Sequence, residues 1–121
     1  DFNDRYGHLT GDRVLTKIGE RLTNKCTDNA IAARYGGEEF VVILNNTLID
    51  DAKAFAEDLR RSISLLKMQF REEGKDKFHV VTASFGLTQF HIGDNRDSFI
   101  ARADKALYQA KSDGRNCVRI I

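Results

Sequence analysis

Apolar residues recur along this chain in blocks whose spacing alternates between helical and strand-like. Val14, Leu15, Ile18 and Leu22 fall on one helical face and predict a helix from about Asp12 to Asn24. Asp12 stands at its N-cap position, and Gly7 and Gly11 punctuate the loop before it. Ile31–Tyr35 and Phe40–Asn45 are strand-like runs joined by a short link containing glycine, the pattern of a β-hairpin. Ala52, Phe55, Ala56, Leu59, Ile63 and Leu66 then keep helical spacing and predict a helix from about Ile49 to Met68, with the Arg60-Arg61 pair on its solvated face. Residues 71–77 are almost all charged and read as a solvated link. Val80–Thr88 is rich in β-branched residues and reads as a strand in which Gly86 marks a bulge, with Phe85 in the core. Ser98 is placed to cap a third helix with Phe99, Ala103, Leu107 and Ala110 on one face. Gly114 ends that helix, and Cys117–Ile121 forms a last strand.

The resulting order, αββαβαβ, points to an α+β domain with helices packed on a largely antiparallel sheet. A βαββαβ core needs a strand before the first helix, and losing one would leave an open sheet edge. That strand is expected to belong to residues ahead of Asp1. The chain opens on Asp1-Phe2-Asn3-Asp4 without Met and reads as a fragment of a longer protein.

The remaining composition narrows the function classes. At 121 residues the chain suits one domain with a core of its own. Hydrophobic and charged shares of 41% and 31% are those of an ordinary globular chain. A formal net charge of +1 without a basic stripe argues against a nucleic-acid surface. No run approaches a membrane span and no signal peptide is visible. Cys26 and Cys117 lack CxxC spacing and His partners, as expected of reduced thiols in a cytoplasmic protein. His79 and His91 have no metal-ligand spacing.

Chemistry concentrates in Arg34-Tyr35-Gly36-Gly37-Glu38-Glu39-Phe40. Two glycines allow a sharp turn or a close approach of backbone to ligand. The adjacent carboxylates Glu38 and Glu39 are hard oxygen ligands, suited to Mg²⁺ held jointly with substrate phosphates.

Three segments together resemble the GGDEF domain of diguanylate cyclases, over essentially all of residues 1–121. Gly36-Gly37-Glu38-Glu39-Phe40 matches the signature in its Glu variant. Asn3-Asp4-Arg5-Tyr6-Gly7-His8-Leu9-Thr10-Gly11-Asp12 matches the family's ND-x-x-GH-x-x-GD segment. Ala103-Asp104-Lys105-Ala106-Leu107-Tyr108-Gln109-Ala110-Lys111, followed by Gly114-Arg115-Asn116, matches its AD-x-ALY-x-AK…GRN segment.

The resemblance implies a ferredoxin-like, nucleotidyl-cyclase-like palm, here without its first strand. It also implies condensation of two GTP molecules into cyclic di-GMP with release of pyrophosphate, using two divalent cations (Mg²⁺ or Mn²⁺) per active site. Asn3 and Asp12 would hold the guanine base, which an amide and a carboxylate suit chemically, with His8 beside the nucleotide. Glu38 would bind metal and assist deprotonation of the attacking 3′-hydroxyl, and Glu39 would support metal or phosphates. Lys111 and Arg115 would contact the terminal phosphates. The implied partners are GTP, a second copy of the domain facing the first, and an upstream sensory or receiver domain. The implied location of the domain is cytoplasmic, which is compatible with a membrane anchor elsewhere in the full-length protein.

Two departures qualify that implication. The family's D-x-D-x-FK segment, which supplies another metal carboxylate, would precede Asn3 and is absent, so the fragment alone is not expected to turn over GTP. The positions of the inhibitory RxxD motif hold Thr27, Asp28, Asn29 and Ala30, so product feedback through that site is not expected. Bland readings compete residue by residue. Glu38 and Glu39 also suit an exposed acidic turn, Asn3 and Asp12 suit turn and cap roles, and Lys111 and Arg115 suit a helix C-terminal dipole. The rival function is a non-catalytic GGDEF module that binds GTP and regulates an attached domain.

Overall fold

The structure, a computed structural model, describes residues 8–121. They form α1 (His8–Lys25), β1 (Ala30–Gly36), β2 (Glu39–Leu44), α2 (Ile49–Ser64), β3 (Lys67–Glu72), β4 (Lys75–Val80), β5 (Phe85–Leu87), α3 (Arg96–Ser112) and β6 (Val118–Ile120). The chain divides into two compact units, Asp1–Asn46 with Leu66–Val80, and Thr47–Leu65 with Val81–Ile121. The architecture is α+β, as the spacing predicted.

In the first unit, α1 buries Val14, Leu15, Ile18 and Leu22. The helix begins at His8, so Asp12 lies inside it, exposed, and is not its N-cap. Gly11 is helical and buried, on the same face as Val14, Leu15 and Ile18, and does not break the helix. Glycine within a helix costs about 1 kcal/mol relative to alanine, less than burial of that apolar face returns.

β1 and β2 pair antiparallel from Ala30↔Leu44 to Arg34↔Phe40. Gly19 of α1 rests on the Phe40 ring, which lies 3.5 Å from where a Cβ would stand, and this contact seats the helix against β2. The other hairpin of this unit, β3–β4, replaces the expected charged link and the last turn of the expected helix. Its two-residue connection, Glu73-Gly74, has φ of +52° and +76°, and positive φ at both positions is what a type I′ turn requires. Lys67-Met68-Gln69-Phe70 alternates polar and apolar with a period of two, and that strand pattern prevails over continuation of the helix past Leu66.

In the second unit, α2 buries Ala52, Ala56, Leu59 and Ile63, while α3 buries Ala106 and Ala110. Asp50 and Asp51 complement the dipole at the α2 N-terminus. The N-cap of α3 is Asn95, and Ser98 occupies the N3 position of a reciprocal capping box rather than the cap itself. β5 and β6 pair in parallel, with α3 as the crossover that parallel neighbours require. The expected strand over Val80–Thr88 is thus split between β4 and β5. Gly86 marks no bulge: an added Cβ would lie 2.7 Å or less from the backbone of Ala103 and Leu107, so its missing side chain lets α3 lie directly on β5. Phe85 and Leu107 are half-buried rather than fully in the core. Cys26 and Cys117 are free, and partial burial raises the Cys26 thiol above its usual range.

Candidate active site

The β1–β2 connection builds the acidic tip. Between the pairs Arg34↔Phe40 and Gly36↔Glu39 the register shifts by one residue, leaving Tyr35 unopposed. Gly37 has φ +48°, a conformation that other residues adopt at a cost, with open space around its missing Cβ. The turn therefore needs glycine for backbone reasons, and it presents Glu38 and Glu39, both exposed, at the hairpin tip. Arg34 ties the turn from below, its Nε and Nη2 donating to the Gly37 carbonyl at 3.0 and 2.7 Å. Two donors from one planar guanidinium fix the Gly37–Glu38 peptide plane and, with it, the direction from which Glu38 projects.

Of the other expected residues in this unit, Asp12 is exposed on the first half of α1 and His8 is the first residue of that helix. Asn3 lies outside the described residues. A groove of about 370 Å³ along α1, lined by Lys17, Glu20, Arg21, Asn24, Lys25 and Leu66, contains none of the expected site residues.

The second unit carries the expected cationic pair at the end of α3. Arg115 N–H donates to the Ala110 carbonyl at 3.0 Å and Gly114 N–H to the Lys111 carbonyl at 3.4 Å, the two bonds of a Schellman motif. Asp113 N–H takes the Gln109 carbonyl at 2.9 Å. The Gln109, Ala110 and Lys111 carbonyls at the end of α3 are thus satisfied by backbone, without the exposed Lys111 and Arg115 side chains. Gly114, Arg115 and Asn116 are all left-handed, with φ of +113°, +64° and +48°. For an arginine that conformation costs roughly 1–2 kcal/mol.

Several residues of structural weight have no local signature. Arg60, expected on a solvated face, pairs with Glu57 and donates from Nη1 to Asn116 Oδ1 at 3.0 Å across 56 positions of sequence. Asn116 N–H also donates to Ser84 Oγ at 3.1 Å. Arg34 bonds only three residues away, but through a turn that must first be built, and Arg60 and Ser84 meet Asn116 across 56 and 32 positions that no local pattern links.

The donor set fits a hard divalent cation. Two adjacent carboxylates stand at the tip, and no cluster of three or more His, Cys, Asp or Glu that could hold a metal occurs among the described residues. Mg²⁺ is commonly bound in this way, by one or two carboxylates with phosphate oxygens and water completing its shell.

Each unit is thus described by itself: an exposed acidic glycine turn closes the β1–β2 hairpin of the first, and an exposed Lys/Arg pair stands at the end of α3 in the second. The chain belongs to the GGDEF family: the model described as diguanylate cyclase, GGDEF domain, matches residues 1–117. It is 46% identical to the diguanylate cyclase VdcA of Vibrio cholerae over 116 residues, 96% of this chain and 34% of that protein. It therefore spans about a third of that relative's length. Among solved structures it resembles the GGDEF domain of DgcB from Caulobacter crescentus in complex with c-di-GMP, with a TM-score of 0.89 and 34% identity over 98% of this chain and 69% of that one. It also resembles the active GGEEF domain of a diguanylate cyclase from Vibrio cholerae, with a TM-score of 0.77 and 32% identity over 98% of this chain and 73% of that one. Diguanylate cyclases of this family are metal-dependent. No helix among the described residues is long and apolar enough to cross a membrane.

Proposed function

We propose that this domain condenses two GTP molecules into cyclic di-GMP and pyrophosphate, as one half of a dimer within a longer cytoplasmic signalling protein. The observation that carries the reading is the Glu38–Glu39 tip, held on a left-handed Gly37 and tied by Arg34, in a chain of this family. The resemblance to a structure described as an active GGEEF domain supports Glu at the variable signature position.

In this reading Asn3 and Asp12 bind the guanine edge and His8 flanks the nucleotide. Glu38 and Glu39 hold divalent metal, Mg²⁺ or Mn²⁺ with two ions per site, and Glu38 also assists removal of the 3′-hydroxyl proton. When bound, the metal neutralises phosphate charge and lowers the pKa of the attacking hydroxyl. Lys111 offers a compact charge and Arg115 a planar fork to the terminal phosphates. Phosphoryl transfer asks the protein mainly for positioning and charge, which is what exposed groups on tied turns provide. An upstream sensory or receiver domain would control how two copies meet.

The test uses the full-length protein with GTP and Mg²⁺, with product followed by chromatography. Cyclic di-GMP should form, and Glu38→Gln should reduce the rate by at least about a hundredfold. Binding of GTP without product by folded, dimeric, full-length protein would overturn the cyclase assignment and favour a regulatory GTP-binding module.

A further inference from the structure

The backbone after α3 is held from both sides. Upstream, the Schellman bonds fix Gly114 and the Arg115 N–H. Downstream, Asn116 is gripped twice, by Arg60 Nη1 on its side-chain oxygen and by Ser84 Oγ on its N–H. Arg60 is itself aimed. Glu57, one turn earlier on α2, accepts from its Nε at 3.1 Å and pairs with its Nη2 at 3.0 Å. A guanidinium is planar and rigid, so anchoring two of its nitrogens fixes the third. The Arg60 side chain is only 21% exposed, which limits its freedom further. Left-handed backbone at a residue other than glycine persists only where the surroundings over-determine it, and it gathers at binding and catalytic positions. Arg115, at φ +64°, is such a residue.

We propose that Arg60, aimed by Glu57, is a positioning residue for the phosphate-binding Arg115. With Ser84 it clamps Asn116, and the clamp holds the left-handed turn that presents the Arg115 side chain to the nucleotide. This rests on the reading of Arg115 as a phosphate ligand. A merely structural tie between α2 and the end of α3 would affect stability without depending on the Arg115 side chain.

A double-mutant cycle in the full-length protein separates the two. Affinity is measured by calorimetry for a GTP analogue carrying a methylene bridge between its α- and β-phosphates. Arg60→Met should weaken binding by roughly three- to tenfold in the wild-type background and by less than about twofold where Arg115 is already alanine. Ser84→Ala, which removes one hydroxyl, should show the same dependence and covers the case in which Arg60→Met fails to fold. Without nucleotide, exchange of the Asn116 amide proton should accelerate in both variants. Equal losses in the two Arg115 backgrounds, no loss in either, or unchanged Asn116 exchange would overturn the proposal. Failure of the wild-type protein to bind the analogue would instead remove the nucleotide reading of Arg115, and the positioning role with it.

Discussion

Asp94 shows how much one carboxylate can organise. It accepts from the His91 N–H at 2.8 Å, from Ser98 Oγ at 2.9 Å and from both terminal nitrogens of Arg102, at 3.1 and 2.5 Å. The Arg102 bonds above all, with the His91 N–H next, hold its carboxyl well below the ordinary carboxylate range. A folded-state value below the unfolded one adds stability that is fully present above about pH 4 and is lost as the pH falls through the folded value. The melting temperature of Asp94→Asn should therefore lie a constant interval below wild type from pH 7 to about pH 5. That interval should shrink below about pH 4, as thermal scans across pH would show. At the Glu38 turn the determinant is backbone rather than charge. Gly37→Ala places a Cβ on a left-handed residue and should destabilise the hairpin by about 1 kcal/mol, measurable by urea unfolding. Glu38, Glu39 and the glycines were legible because they are consecutive. Arg34's bond to Gly37 spans only three residues, yet it becomes visible only once the turn is built.

At the scale of elements, the hydrophobic period identified α1, β1, β2, α2 and α3, and the errors cluster where two periods compete. Leu66 continues the α2 spacing while the period-two alternation of β3 begins at Lys67, and the second prevails because β4 supplies a partner strand. A two-residue turn of Glu and Gly carries a weaker hairpin signal than Asn-Gly or Asp-Gly, so β3–β4 is not legible in the local sequence. Gly86 interrupts the local strand pattern, but its role depends on the approach of Ala103 and Leu107, which no local spacing announces. Gly86→Ala should force α3 off β5 and cost roughly 1–3 kcal/mol or more, as overpacked sites do. Chemical denaturation would read the loss, and a fall below about 0.5 kcal/mol would mean that the contact yields easily.

For the whole molecule, the proposed chemistry joins two nucleotides and so calls for two domains. Specific activity of the full-length protein should rise with protein concentration and then level off as dimers saturate, whereas an activity independent of concentration over two decades would argue for a preformed assembly. What the sequence by itself determined is the α+β class, the core faces of the three helices, the first hairpin and the family, because each is written in local periodicity or in contiguous motifs. Tertiary structure alone decided that α1 begins at His8, that a charged stretch folds as a second hairpin, that β5 and β6 run parallel and that Arg60 grips Asn116. Those outcomes depend on partners far apart along the chain, and burial and hydrogen bonding between such partners outweigh local preferences that differ by only about 1 kcal/mol.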